Sequence, residues 1–126
     1  MSYTTVSHCG SDHLKWLKSI EFYESELDML EERLLEIVKK NNSHEVMAEV
    51  EHFQNQFIVQ RDNIRDLKHS IRKHDGNVSE DVQKYDGQIG AALVSQHDQL
   101  KGLFESFEKV VNELRHEFNQ FLAKRM

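Results

Sequence analysis

Apolar residues recur every third or fourth position along nearly the whole chain, and no proline interrupts them. A period of 3.6 residues gathers such positions into one stripe of a helix, and a stripe has to be covered by another element. With five Gly and 30% charged residues, the composition describes a chain built almost entirely of helix. Its 126 residues leave room for a single core, so the expectation is one domain or one protomer of an oligomer.

Punctuation divides the pattern. Ser11 and Asp12 supply a candidate N-cap ahead of the stripe Trp16, Ile20, Tyr23, Leu27, Leu30, Leu34 and Ile37, which leaves residues 1–10 as a flexible tail. Lys39 and Lys40 suit the negative end of a helix dipole, and Asn41, Asn42 and Ser43 end the segment. Ser43 is the next N-cap, with Glu45 in the first turn behind it. The stripe Val46, Val50, Phe53, Phe57, Ile64, Leu67 and Ile71 then predicts a second helix of about thirty residues, ending near Asp75 and Gly76.

Apolar spacing resumes at Val82, Tyr85, Ile89, Leu93, Leu100, Leu103, Phe107, Val110, Leu114, Phe118 and Phe121. Two descriptions of residues 76–90 stay open. They form a connector between helices of similar length, or they belong to a continuous third helix from Val78 to Leu122. Gly87, Gly90 and Gly102 weigh against the second, each costing about 1 kcal/mol in a helix interior. The second carries a consequence. An uninterrupted third helix is the longest of the three and can overhang, leaving Val111, Leu114, Phe118, Phe121 and Leu122 without cover from their own chain. Each is worth roughly 1.5 to 3 kcal/mol when buried, so a second chain has to supply the cover.

The expected fold is therefore all-α: three long helices in an up-down-up antiparallel bundle, comprising residues 11–126. Off its main stripe, helix one aligns Phe22 with Met29, about 140 to 160° from the core direction, which suggests a further contact face. Glu24 and Glu31 fall on the core side. Arg61 comes level with Glu24 in the antiparallel pairing and is its expected partner in a buried polar pair. Gln60 and Gln96 lie on core faces and are candidates to satisfy each other or a buried water.

A net charge of −6 supplies no basic field for nucleic acid or for an anionic membrane. The cluster Arg65, Lys68, Arg72 and Lys73 is read as dipole compensation on a solvated face. No apolar run approaches the roughly 20 residues that span a bilayer, and the opening MSYTTVSHCGSDH has none of the marks of a secretory leader. A cytoplasmic location is expected, with the single Cys9 a reduced and inert thiol. One cysteine also excludes an internal disulfide and any multi-cysteine zinc site.

Eight His raise the question of metal, because inward imidazoles and carboxylates hold ions in bundle cores. Glu49 with His52, Asp66 with His69 and Glu113 with His116 each have the acid three residues before the His, but the wheel turns these His away from the core. Only His13 and His97 sit at the margin of a stripe. No catalytic constellation or phosphate loop is found, so the expectation is a non-enzyme with no cofactor.

The stretches EFYESELDMLEERL, Glu21 to Leu34, and VEHFQNQFIVQRDNIRDLKHSI, Val50 to Ile71, resemble small uncharacterised bacterial all-helical proteins. The resemblance implies a helical fold and no particular activity. The function expected first is a self-associating interaction or scaffold module, a homo-oligomer with a possible protein partner, whose contact surface is Phe22, Met29, Leu114, Phe118, Phe121 and Leu122. The alternative is a bundle holding a metal ion or small ligand in its core through Glu24, Glu31, His97 and His13.

Overall fold

Covering three long apolar stripes at once requires three helices to face one another, and the chain does this over most of its length. The computed structural model describes residues 6–84 and 90–125, and the side chains of residues 9–81 and 90–125. Three helices are found among the described residues: α1 (Val6–Lys40), α2 (His44–Lys84) and α3 (Ala91–Arg125). Each packs against the other two, which makes the chain an all-α bundle.

The first turn is built as its residues dictate. The Asn41 backbone N–H and the Asn41 side-chain amide both donate to the Ile37 carbonyl, at 3.0 Å each, closing the end of α1. Ser43 Oγ accepts from the Val46 N–H at 3.2 Å, the N-cap bond expected of it. At the other end of α2, Asp81 accepts from the Gly90 N–H at 3.2 Å, and the Gly90 carbonyl accepts from Leu93 and Val94 at the start of α3.

Helix α2 is 41 residues long and passes straight through Gly76, so neither description of residues 76–90 holds as expected. Residues 76–84 belong to the second helix, not to a connector or to the third. One glycine costs a helix about 1 kcal/mol, which burial of Val78 on the continuing stripe offsets. Tyr85, Ile89 and the Val82 side chain lie outside the described residues.

The third helix is therefore not the longest, and it does not overhang. It has 35 residues, the same number as α1, and its late start brings its C-terminal end level with the beginning of α2. Arg125 bridges to Glu45 and Glu49 there, and its hydrogen bond holds the Glu49 carboxyl below the usual carboxylate range. Phe118 packs against Phe53 and Phe57 with ring centroids 5.1 and 5.3 Å apart, and Phe121 lies 5.0 Å from Phe53. Leu114, Phe118 and Phe121 are buried and Leu122 partly so, all against the chain's own core, which removes them as a free contact surface. The core phase of α3 also differs from the expected one. Phe104 and Val111 are buried, whereas Leu103 and Val110 are 58% and 45% exposed.

Three smaller expectations are corrected. Residues 6–10 open α1 instead of forming a tail, because Cys9 is fully buried against Val78, Leu93 and Val94. Glu24 pairs with Lys68 at 2.6 Å, while Arg61 reaches Asp28 and Glu31, so the expected Glu24 and Arg61 pair does not form and its members are only half-buried. Arg61 lies nearer the α1 turn than Glu24 does in the antiparallel register, and takes the acids one and two turns further on. Gln60 is buried and accepts from Asn63, but Gln96 is exposed. Phe22 and Met29 are exposed as expected, at 50% and 54%, and Arg115 stands 5.5 Å from the Phe22 ring centroid.

Because Phe118 is fully buried in its own protomer, Phe118→Ala is expected to lower folding stability by about 3 to 5 kcal/mol. Met29→Ala should change it by no more than about 0.5 kcal/mol. Urea unfolding of the two variants checks both.

Candidate metal centre

Toward the end of the bundle where α1 begins and α2 stops, the apolar stripes change chemistry together. On α1 the buried positions run Cys9, His13, Trp16, Ile20; on α2, Leu67, Ile71, His74, Val78; on α3, His97, Leu100, Phe104. Each series keeps helical spacing, so one imidazole from each helix enters the core at the same level. The layer lies between the main core, which reaches it at Trp16, Ile71 and Leu100, and a smaller apolar cluster of Cys9, Val78, Leu93 and Val94.

His13, His74 and His97 are 3%, 4% and 4% exposed, and one donor atom from each lies within 4.8 Å of the other two. Their ring centroids are 5.1 to 5.5 Å apart. Trp16 closes one side, stacked on His97 at 5.0 Å and 5.6 Å from His13. Each ring has an outer nitrogen held by an acceptor. His13 Nδ1–H donates to Asp75 at 2.8 Å, His97 Nε2–H to Asp12 at 2.8 Å, and His74 Nε2–H to the Leu93 carbonyl at 2.9 Å. Such outer bonds fix the tautomer and turn the second nitrogen inward as a lone-pair donor, the usual support of a metal-binding imidazole.

The bonding leaves one contact that neutral rings cannot satisfy. His13 Nε2 and His74 Nδ1 face each other at 3.1 Å. The Leu93 carbonyl only accepts, so His74 carries its proton on Nε2 and presents a lone pair at Nδ1. A neutral His13 has one proton to place. On Nδ1 it serves Asp75 but opposes two lone pairs across the 3.1 Å contact; on Nε2 it serves His74 but turns a lone pair on the Asp75 carboxylate. A metal ion that takes a lone pair from each of the three rings removes the conflict. A tetrahedral zinc ion with Zn–N bonds of about 2.0 to 2.1 Å sets its nitrogens roughly 3.3 Å apart, close to the separation of this pair.

Burial pushes the His74 imidazole below its ordinary value of 6.5, and the neighbouring His13 and His97 act in the same direction against the Leu93 carbonyl. Neutral imidazole is the metal-binding form. Cys9 is pushed up to about 11, first by burial and then by Asp12, Asp75 and Asp98, so it is a thiol at neutral pH, as the inert role expected of it requires.

Of the ligand set expected from sequence, the fold brings together His13 and His97 and excludes the two acids. Glu24 is held by Lys68 and Glu31 by Arg61, and Glu24 lies about 16 Å along α1 from His13. His52, His69 and His116 are exposed, as the wheel indicates. His74 was missed because the stripe of the second helix was followed only to Ile71, although that helix was expected to run on to Asp75; one more step of the stripe reaches it. Asp12 and Asp75 carried no signal of their own beyond standing beside a His. No family model, curated protein or solved structure matches the chain.

A depressed folded value has a definite sign. The unfolded chain takes up the His74 proton first as pH falls, so the stabilisation is complete above about 6.5 and is lost as pH drops through the lower folded value. In chelator-treated protein, the urea midpoint is expected to fall between about pH 7 and pH 5, with a flatter profile for His74→Gln. Parallel profiles would show that His74 does not carry the effect.

Proposed function

We propose that this protein is a non-enzymatic metal-binding helical bundle, holding one first-row divalent ion through His13, His74 and His97. The observation that carries the proposal is the 3.1 Å contact between His13 Nε2 and His74 Nδ1, whose outer nitrogens are already committed. Imidazole donors suit zinc, copper, iron, cobalt and nickel, and a set without carboxylate donors disfavours magnesium and calcium. Asp12, Asp75 and the Leu93 carbonyl orient the ligands, and Trp16 with the surrounding apolar side chains limits water. A cytoplasmic setting agrees with the one buried thiol. No helix among the described residues is long and apolar enough to cross a membrane.

The bland alternative is a structural layer of hydrogen-bonded imidazoles, and the two differ in what chelation does. One equivalent of Zn²⁺ is expected to bind by equilibrium dialysis and to raise the melting temperature. Free ion at a hundred times Kd adds about 2.7 kcal/mol of stability. His97→Ala should abolish the increment, and Asp75→Asn should weaken binding by about 10- to 100-fold. Absence of bound metal, with a melt indifferent to chelator, refutes the ion.

Self-association is a second reading, supported by Leu103 and Val110. They sit seven residues apart on α3, both exposed, beside a groove of about 310 Å³ shared with Leu67 and Phe107. Phe22 and Met29 offer a smaller apolar face on α1. A solution mass that stays monomeric across a dilution series, unchanged by Leu103→Asp, excludes it.

A further inference from the structure

Three nitrogen donors do not complete the shell of a tetrahedral ion, so the source of the fourth ligand is a question the site itself raises. The nearest carboxylates are engaged elsewhere. Asp12 and Asp75 accept from the outer nitrogens of His97 and His13 at 2.8 Å, and swinging either inward would release the imidazole it orients. Cys9 Sγ is not among the convergent donor atoms. The fourth ligand then has to come from outside the chain.

Two grooves border the layer, with opposite chemistry. The groove between α1 and α3 runs beside Trp16 and is lined by Asp12, Glu105 and Glu108 together with two lysines, which suits a cation. The groove between α2 and α3 has a volume of about 350 Å³ and includes His74 itself in its wall. Its polar lining is Ser70, Lys73, Asn77, Gln96 and Gln99, with no acidic residue. A hydroxyl, three carboxamides and an ammonium group supply hydrogen-bond donors and one positive charge, the complement of a small anion.

We propose that a small monoanion enters through the α2–α3 groove and occupies the fourth position on the ion held by His13, His74 and His97. This rests on the metal-binding reading above. Neutral imidazoles leave the ion's double charge uncompensated within its own shell, so an anionic ligand is favoured over water there. The groove gives the anion donors along its path, and Lys73 supplies the one cationic side chain among the lining residues.

Cobalt(II) with azide tests the proposal. Retention of one equivalent of Co²⁺ is measured first by dialysis, and azide is then titrated while the visible ligand-field bands are followed. Saturable band shifts at one azide per ion are expected, and Lys73→Glu should weaken azide binding by about tenfold while Co²⁺ stoichiometry stays at one. Bands that ignore azide overturn the proposal and leave the metal reading intact; if Cys9→Ser then alters them, the fourth ligand is the chain's own thiolate. Failure to retain Co²⁺ overturns both.

Discussion

Two imidazole nitrogens at 3.1 Å, each with its opposite nitrogen already bonded, leave two neutral rings one proton short of the acceptors they face, deep inside an otherwise apolar bundle. Protein interiors tolerate polar groups when every donor and acceptor is matched, and they penalise lone pairs aimed at one another. The rest of this end of the molecule serves that pair. Helix α2 supplies His74 and its neighbour Asp75, and its continuation past Gly76 buries Val78 beyond them. Helix α1 opens early enough to bury Cys9 behind His13, and α3 begins where the Leu93 carbonyl can hold the outer face of His74.

The bundle is asymmetric from end to end. Near the turn at residues 41–43 the core is aromatic and aliphatic, with Phe53, Phe57, Phe118 and Phe121 in mutual contact and Arg125 tying α3 to α2 across the surface. That end gains from burial in the ordinary way and asks nothing of solution conditions. The imidazole end has a smaller apolar cluster above it, and its stability responds to pH through His74. Between them the half-exposed pairs of Arg61 with Glu31, Lys68 with Glu24 and Arg115 with Glu26 set the register of the helices and add little energy individually.

Sequence periodicity was enough to identify the helices, the α1 stripe from Trp16 to Ile37, the Ser43 cap and the exposure of Phe22 and Met29, because these follow from local spacing. It failed where one residue's propensity was weighed without knowing what lay opposite. Gly76 reads as a stop, yet the gain from burying Val78 exceeds the cost of one glycine, and the placing of the third helix inherited that boundary. The supposed overhang of Phe118 and Phe121 came from starting the third helix too early. Two of the three histidines of the layer were visible, His13 and His97, each on a stripe margin. Their convergence depends on the relative length and register of three helices, which no single stripe contains.

The chain's only tryptophan lies flat against His97. Its indole emission therefore comes from a residue in van der Waals contact with one of the three donors, and copper or cobalt lodged there would quench it by electron or energy transfer. Under the proposed metal reading, the molecule carries a built-in optical gauge of ion occupancy, readable on unlabelled protein.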